Sequence, residues 1–297
     1  MTLTFLFSQH PTLLLVCAGV LGALVGSFLN VVIYRLPIML HAYWEQQLEE
    51  ASAAAAVAAP GDVGSAFNLA VPRSHCPQCS QPLSALENIP VLSYLVLRGK
   101  CRHCRHPISL RYPATELITV VASVLVVANF GFSWNALSLL FLSWSLIVCA
   151  LIDYDHHIIP DDVSLPLLWM GLLAATLGVG LPGISPSSAI LGAAAGYLSL
   201  WSLYWAFRML TGKIGMGHGD FKLLAALGAW LGWQDLLMLV LLSSVAGSAV
   251  GLVLILLGGR DRSVPLPYGP FLAAAGFITL IWGPQIEAFY FSLIAGY

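Results

Sequence analysis

Charge is distributed along this chain in a way that few folds tolerate. No Asp, Glu, Lys or Arg occurs in residues 1–34, 117–152, 163–207, 236–259 or 263–286, and these stretches make up more than half of the sequence. The charged fraction is 9% and the apolar fraction 59%, against about 25% charge in an ordinary soluble protein. Inside a bilayer, backbone amides in such stretches are satisfied without water only within helices. The pattern therefore predicts an all-α polytopic membrane protein surrounded by lipid.

Length counts the crossings, because a span takes about 20 residues at 1.5 Å each. Residues 12–34 form one. Stretch 117–152 is interrupted at Gly131-Phe132-Ser133-Trp134-Asn135, and stretch 163–207 at Gly180-Leu181-Pro182-Gly183-Ile184-Ser185-Pro186, so each reads as two spans. Residues 236–257 and 268–286 add one apiece. A short helical pattern at 221–233 either spans with borrowed flanking residues or is re-entrant. The expectation is about eight transmembrane helices, one of them short.

All 12 basic residues test the orientation, since Lys and Arg near helix ends favour the cytoplasmic side. With eight crossings and both termini outside, every one falls inside. Arg35, Arg73, Arg98, Lys100, Arg102, Arg105 and Arg111 lie between the first two spans, and Arg208, Lys213, Lys222, Arg260 and Arg262 flank later cytoplasmic ends. No Lys or Arg precedes the first apolar run, so that span is expected to be a retained anchor and not a cleaved signal. No basic run with interleaved aromatics suggests nucleic-acid binding.

The one extended polar region divides the chain into 1–35 (first span), 36–115 (cytoplasmic loop) and 116–297 (membrane core). Within the loop, the alanine-rich run 51–59 reads as a helical or loose linker. Beyond it come Cys76-Pro77-Gln78-Cys79 and Cys101-Arg102-His103-Cys104. Two Cys-x-x-Cys knuckles can set four thiolates around a tetrahedral Zn²⁺, and disulfides seldom persist in the reducing cytoplasm. Cys76, Cys79, Cys101 and Cys104 are therefore the expected ligands of a structural zinc in a small zinc-ribbon-like insert. Cys17 and Cys149 lie in apolar spans and are read as small buried residues.

Ionisable groups near membrane depth are expensive and usually functional. Two acidic clusters qualify: Ile152-Asp153-Tyr154-Asp155-His156-His157, followed by Pro160-Asp161-Asp162, and Gly215-Met216-Gly217-His218-Gly219-Asp220-Phe221-Lys222. Both emerge on one face, so a distant pair of acids can meet there. Two carboxylates and a water are the apparatus of an aspartic protease. Asp220 could instead be only a helix N-cap, and Asp161 and Asp162 are read as caps. The glycines before Asp220 allow close backbone approach or positive φ. Asp153 ends a helix and Asp220 begins one, so the helix dipoles alone would leave the shared proton more often on Asp153. Asp155 is the alternative to Asp153. A proton-coupled transporter would instead need acids near the midplane and repeat symmetry between halves, neither of which the sequence offers.

These residues resemble the bacterial type IV prepilin peptidases. The similarity runs through Gly26-Ser27-Phe28-Leu29-Asn30-Val31-Val32-Ile33-Tyr34-Arg35-Leu36-Pro37, the cysteine knuckles, Glu87-Asn88-Ile89-Pro90, the Ile-Asp-x-Asp-His cluster and Gly-x-Gly-x-Gly-Asp-Phe-Lys, in the family's order. It matches the long form, which carries the four-cysteine loop. The resemblance implies an inner-membrane aspartic endopeptidase, with 116–297 as its core. Such an enzyme removes the leader of type IV prepilins and type II secretion pseudopilins after a Gly. Its implied catalytic residues are Asp153 and Asp220. Members with this loop also N-methylate the new terminus with S-adenosylmethionine, an activity for which the residues themselves give no donor site.

Overall fold

The computed structural model describes residues 3–53, 67–76, 78–84, 87, 89–213, 215–257 and 266–295. Most of the alanine run 51–59, with Pro77, Asn88, Arg260 and Arg262, lies outside them. Among the described residues ten helices follow in order: α1 (Leu3–Gln9), α2 (Pro11–Ala53), α3 (Leu92–Val96), α4 (Arg111–Phe130), α5 (Trp134–His156), α6 (Asp161–Leu177), α7 (Pro186–Thr211), α8 (His218–Leu231), α9 (Leu236–Leu256) and α10 (Gly269–Ala295). No β-strand occurs among the described residues, only two isolated bridges. Among the described residues six helices, namely α2, α4, α5, α7, α9 and α10, are long and apolar enough to cross a membrane. The fold is thus the expected all-α polytopic one. Of the eight spans expected, α6 (17 residues) and α8 (14 residues) are not among these six, whereas only the segment at 221–233 was expected to be short.

The chain forms two compact units, one of residues Val16–Val121 and one of Met1–Leu15 with Ala122–Tyr297. In the larger unit the short helix α8 is the centre. From Asp220 to Leu231 every residue except Lys222 is buried, close to a helix that is apolar all round. It packs most extensively on α7 and α6, and also on α10. The α7–α8 contact is a backbone contact: a Cβ on Gly192 would run into the carbonyl of Gly228, and one on Gly228 into that of Gly192. On the α6 side, Trp230 Nε1 donates to the Leu167 carbonyl at 2.8 Å.

Where the sequence breaks were expected, turns occur. Ser133 caps α5 by accepting from the Ala136 N–H at 3.0 Å, and Ser185 caps α7 by accepting from Ser188 at 3.2 Å. The first helix departs from expectation. Instead of ending with the span at residue 34, α2 continues through Pro37 to Ala53, because Leu, Glu, Gln and Ala beyond the proline are good helix formers. Asp161 and Asp162 also differ from their reading as caps. The N-cap of α6 is Pro160, with no side-chain cap bond, and both acids lie in the first turn.

In the smaller unit, Arg35 is 6% exposed and is more than a marker of topology. Its guanidinium donates to the carbonyls of Asn68 (2.9 Å), Leu69 (3.4 Å) and Pro72 (2.5 Å), tying the start of the cysteine region to α2.

Candidate functional site

The buried stripe of α5 carries Asp153 inward. Leu139, Leu142, Leu146 and Cys149 recur at helical spacing on the packed face, and Asp153 continues it at 6% exposure. Asp155, about 200° further round the helix, is exposed. Burial therefore distinguishes the two acids that sequence spacing left open. His157 adopts a left-handed conformation and ends the helix.

Asp220 lies in the first turn of α8 at 7% exposure. The N-cap is Gly217, so Asp220 is not itself the cap. Its carboxylate reaches back to accept from the Gly217 N–H, the half of a capping box normally filled by Glu or Gln. None of Gly215, Gly217 and Gly219 has positive φ. Close approach is what the loop uses: a Cβ on Gly219 would lie 2.8 Å from Ile159 Cβ. The segment after α5 is thereby pressed against the start of α8. Lys222 Nζ then contacts both Asp161 oxygens, at 2.6 and 2.7 Å, so the two acidic clusters are also joined by an ion pair. Asp153 and Asp220 come within electrostatic range of each other.

A residue the sequence reading passed over completes the geometry. Gly269, the first residue of α10, donates its N–H to Asp153 Oδ2 at 2.9 Å. A Cβ there would stand 2.6 Å from that oxygen and 3.0 Å from Cγ. Leu266 and Pro267 lead into it, and Tyr268 is anchored by a 2.5 Å contact between its hydroxyl and Ser243 Oγ on α9. The Pro267-Tyr268-Gly269-Pro270 string before an apolar run was the available signal, since proline and glycine punctuate a helix start. This contact also bears on the dipole argument, which set the end of α5 against the start of α8. Each aspartate accepts a backbone N–H at a helix N-terminus, Asp153 from α10 and Asp220 from α8, so the asymmetry between them narrows.

His218, inside the glycine loop, packs against Tyr204 and Phe221 with ring centroids 5.1 and 5.5 Å away. It is a wall of the α7–α8 junction.

The smaller unit brings the four loop cysteines together. Their sulfurs all lie within 4.8 Å of one another, and Cys76 Sγ is 3.8 Å from Cys104 Sγ. A tetrahedral ion with about 2.3 Å bonds separates its sulfurs by about 3.8 Å, whereas a disulfide needs about 2.05 Å. The two knuckles repeat one backbone design. Cys76 N bonds the Gln81 carbonyl and Ser80 N the Cys76 carbonyl; Cys101 N bonds His106 and Arg105 N bonds Cys101. Ser80 and Arg105 both have φ 57°. Backbone N–H groups of Cys79 and Gln78 bring the Cys76 thiol down to about 7, and those of Cys104 and His103 lower Cys101. Against a backbone hydrogen bond from His106 that favours its anion, local desolvation beside the cluster and the thiols of Cys101, Cys79 and Cys76 push Cys104 up to about 11. Three thiols oppose a further anion until a cation joins them, which is the donor chemistry of a zinc site. Glu87 is held below the usual carboxylate range by the Ser84 hydroxyl and N–H, at 2.7 and 2.8 Å, and lies 4.0 Å from His103 of the second knuckle.

Fold and site define a class: an all-helical polytopic membrane protein with two buried aspartates brought together beside a glycine loop, and a four-thiol cluster in a separate unit. Residues 20–130 match the bacterial peptidase A24 N-terminal domain and residues 140–252 the type IV leader peptidase family. The chain is 53% identical over 270 residues to a protein of Aeromonas hydrophila, covering 90% of each chain. It is 49% identical over 290 residues to one of Stutzerimonas stutzeri, covering 98% of each, and 46% identical over 283 residues to one of Pseudomonas aeruginosa, covering 95% of each. All three are named prepilin leader peptidase/N-methyltransferase. The chain belongs to the type IV leader peptidase family. No solved structure matches it.

Proposed function

We propose that this protein is a membrane-embedded aspartic endopeptidase that cleaves the leader from type IV prepilins and type II secretion pseudopilins after a glycine, with Asp153 and Asp220 as its catalytic residues. The observation that carries this reading is the placing of two buried carboxylates within electrostatic range of each other, each held by one backbone N–H, where α5 meets α10 and α8 begins. In the anionic member of the pair, one oxygen draws a proton from water as it attacks the scissile carbonyl. The protonated member hydrogen-bonds that carbonyl oxygen and later supplies the proton to the leaving amine. The Gly269 amide occupies one oxygen of Asp153 and leaves the other for this chemistry.

Cys76, Cys79, Cys101 and Cys104 would hold a zinc ion. Four sulfurs close its shell, so the ion serves as a staple for a loop with little core of its own. The names of the relatives support a second activity, N-methylation of the new terminus with S-adenosylmethionine as donor. The division into a first span (1–35), a cytoplasmic zinc loop (36–115) and a peptidase core (116–297) is part of the same proposal. So is an inner-membrane location with both termini periplasmic and the dyad at the cytoplasmic face, supported by the distribution of Lys and Arg. A prepilin's basic leader and apolar helix meet at that face.

The test is incubation of the purified protein with a prepilin carrying a Gly-Phe junction. Mass spectrometry should show loss of the leader. Asp153→Asn and Asp220→Asn should each abolish it while the protein still fractionates with the membrane, and normal processing by either variant refutes the assignment. Labelled S-adenosylmethionine in the same assay separates a bifunctional enzyme from a peptidase alone.

A further inference from the structure

Glu116 is a buried acid for which peptide cleavage has no use. It lies in the second turn of α4, a helix apolar enough to span a membrane, and is 8% exposed. Its Oε2 accepts the Val91 N–H at 2.7 Å, and the Ser27 hydroxyl also hydrogen-bonds the carboxylate. Gly26 makes this close approach of α2 possible, since a Cβ there would stand 2.8 Å from Glu116 Cα. Among the described residues no Lys, Arg or His pairs with Glu116. An acid at this depth ordinarily has a cationic partner. Ser27 and Val91 are only half-buried, so the carboxylate lies just beneath the surface, behind two neutral donors.

The chemistry of the proposed function supplies a cation to match. Hydrolysis of the leader creates a peptide α-amine, which with a pKa of about 7.7–8.0 is mostly an ammonium ion at neutral pH. Methylation cannot proceed from the ammonium, because its lone pair is bound to a proton. Resting on the bifunctional reading above, we propose that Glu116 binds the α-ammonium of the newly cut terminus and removes its proton for methylation. The carboxylate takes one N–H proton. The freed nitrogen lone pair forms a bond to the methyl carbon of the sulfonium donor, and the carbon–sulfur bond breaks with its electrons passing to sulfur. The product is a secondary ammonium and a neutral thioether, and Glu116 returns its proton to water. Val91 and Ser27 hold the carboxylate in place for both roles.

Glu116→Gln separates this role from a purely structural one. The amide carbonyl can accept both existing hydrogen bonds, so a mere staple between α4, Ser27 and Val91 would be unaffected. Two readouts are needed on the full-length protein in detergent. The first is binding, without any methyl donor, of an apolar peptide beginning with Phe, compared with its N-acetylated form. The wild type should prefer the free amine at least ten-fold, and Glu116→Gln should abolish that preference. The second is a prepilin assay in which Glu116→Gln cleaves the leader normally but incorporates labelled methyl at least 100-fold more slowly. An unchanged amine preference or unchanged methylation in Glu116→Gln overturns the proposal, as does loss of cleavage together with methylation, which would make Glu116 a structural residue. A wild type that cleaves and prefers the free amine but never incorporates methyl refutes the bifunctional reading and the base role, and leaves the amine site standing.

Discussion

Gly269→Ala offers the sharpest test of the dyad geometry because it changes no catalytic atom. The added methyl would stand 2.6 Å from Asp153 Oδ2, 3.0 Å from Cγ and 3.1 Å from Cβ. These atoms belong to a short side chain on a packed helix, so relief comes from rotating the carboxylate or shifting the start of α10. Either movement lengthens the 2.9 Å bond from the Gly269 amide. A hydrogen bond to a charged group contributes about 1.5–3 kcal/mol. At about 1.4 kcal/mol per ten-fold in rate, losing it lowers kcat roughly 10- to 150-fold, and misalignment of the second carboxylate oxygen adds to that. The assay is leader cleavage under saturating and limiting prepilin, with KM expected to move little because the substrate's binding surface is unchanged. Gly276→Ala is the control on the same helix. There the new methyl meets the ends of the flexible Leu227 side chain, so thermal stability should fall without loss of kcat. Gly269→Ala cleaving within two-fold of wild type would refute the idea that this amide positions Asp153.

Three other outcomes follow from the packing and electrostatics. Replacing Gly192 with Ala should prevent accumulation of folded protein, because the methyl meets the Gly228 backbone and no rotamer relieves it; a Gly192→Ala protein with wild-type Tm would contradict the backbone contact. Zinc should copurify at about one ion per chain by elemental analysis and be lost in Cys101→Ser, so a wild type purified free of chelators yet lacking zinc would count against the four-thiol site. Asp235, just before α9, is pushed up to about 6 by burial and then by the Glu287 carboxylate. An acid with a raised folded pKa favours folding fully below its unfolded value near 4 and loses that contribution as pH rises through about 6. Asp235→Asn should therefore raise stability at pH 7.5 by about 1 kcal/mol after solvent screening, and by almost nothing at pH 4. Equal gains at both pH values would show that the acid is unperturbed.

How much of this was legible in the sequence depended on the range of the interaction. Absence of charge located the apolar helices, because bilayer thickness translates directly into residue number. Helical spacing from Leu139 to Cys149 contains the information that sends Asp153 inward and Asp155 outward, and the Cys-x-x-Cys pairs encode a thiol cluster through local turns alone. The role of α8 was harder to see. At 14 residues it looks too short to span, yet it is the most buried helix of its unit, since α6, α7 and α10 shield it. Arg35 read as a topology signal, whereas three carbonyls from residues 68–72 consume its guanidinium. Asp161 read as a cap because it follows Pro160 and precedes an apolar span; its partner Lys222 lies in a motif noticed for a different residue.

The aspartates themselves show what the local dipole argument left out. That argument compared the end of α5 with the beginning of α8, both adjacent in sequence to the acids. The deciding contact for Asp153 comes from α10, 116 residues downstream, and no spacing rule connects the two. A backbone amide suits the task better than a lysine or arginine would. It fixes one oxygen without contributing a full charge, so the pair can still share one proton, whereas an adjacent cation would hold both carboxylates ionised and remove the acid that the reaction requires. The same logic accounts for glycine at position 269. The amide must approach an acid on a packed helix, and only a residue without a Cβ leaves room for it.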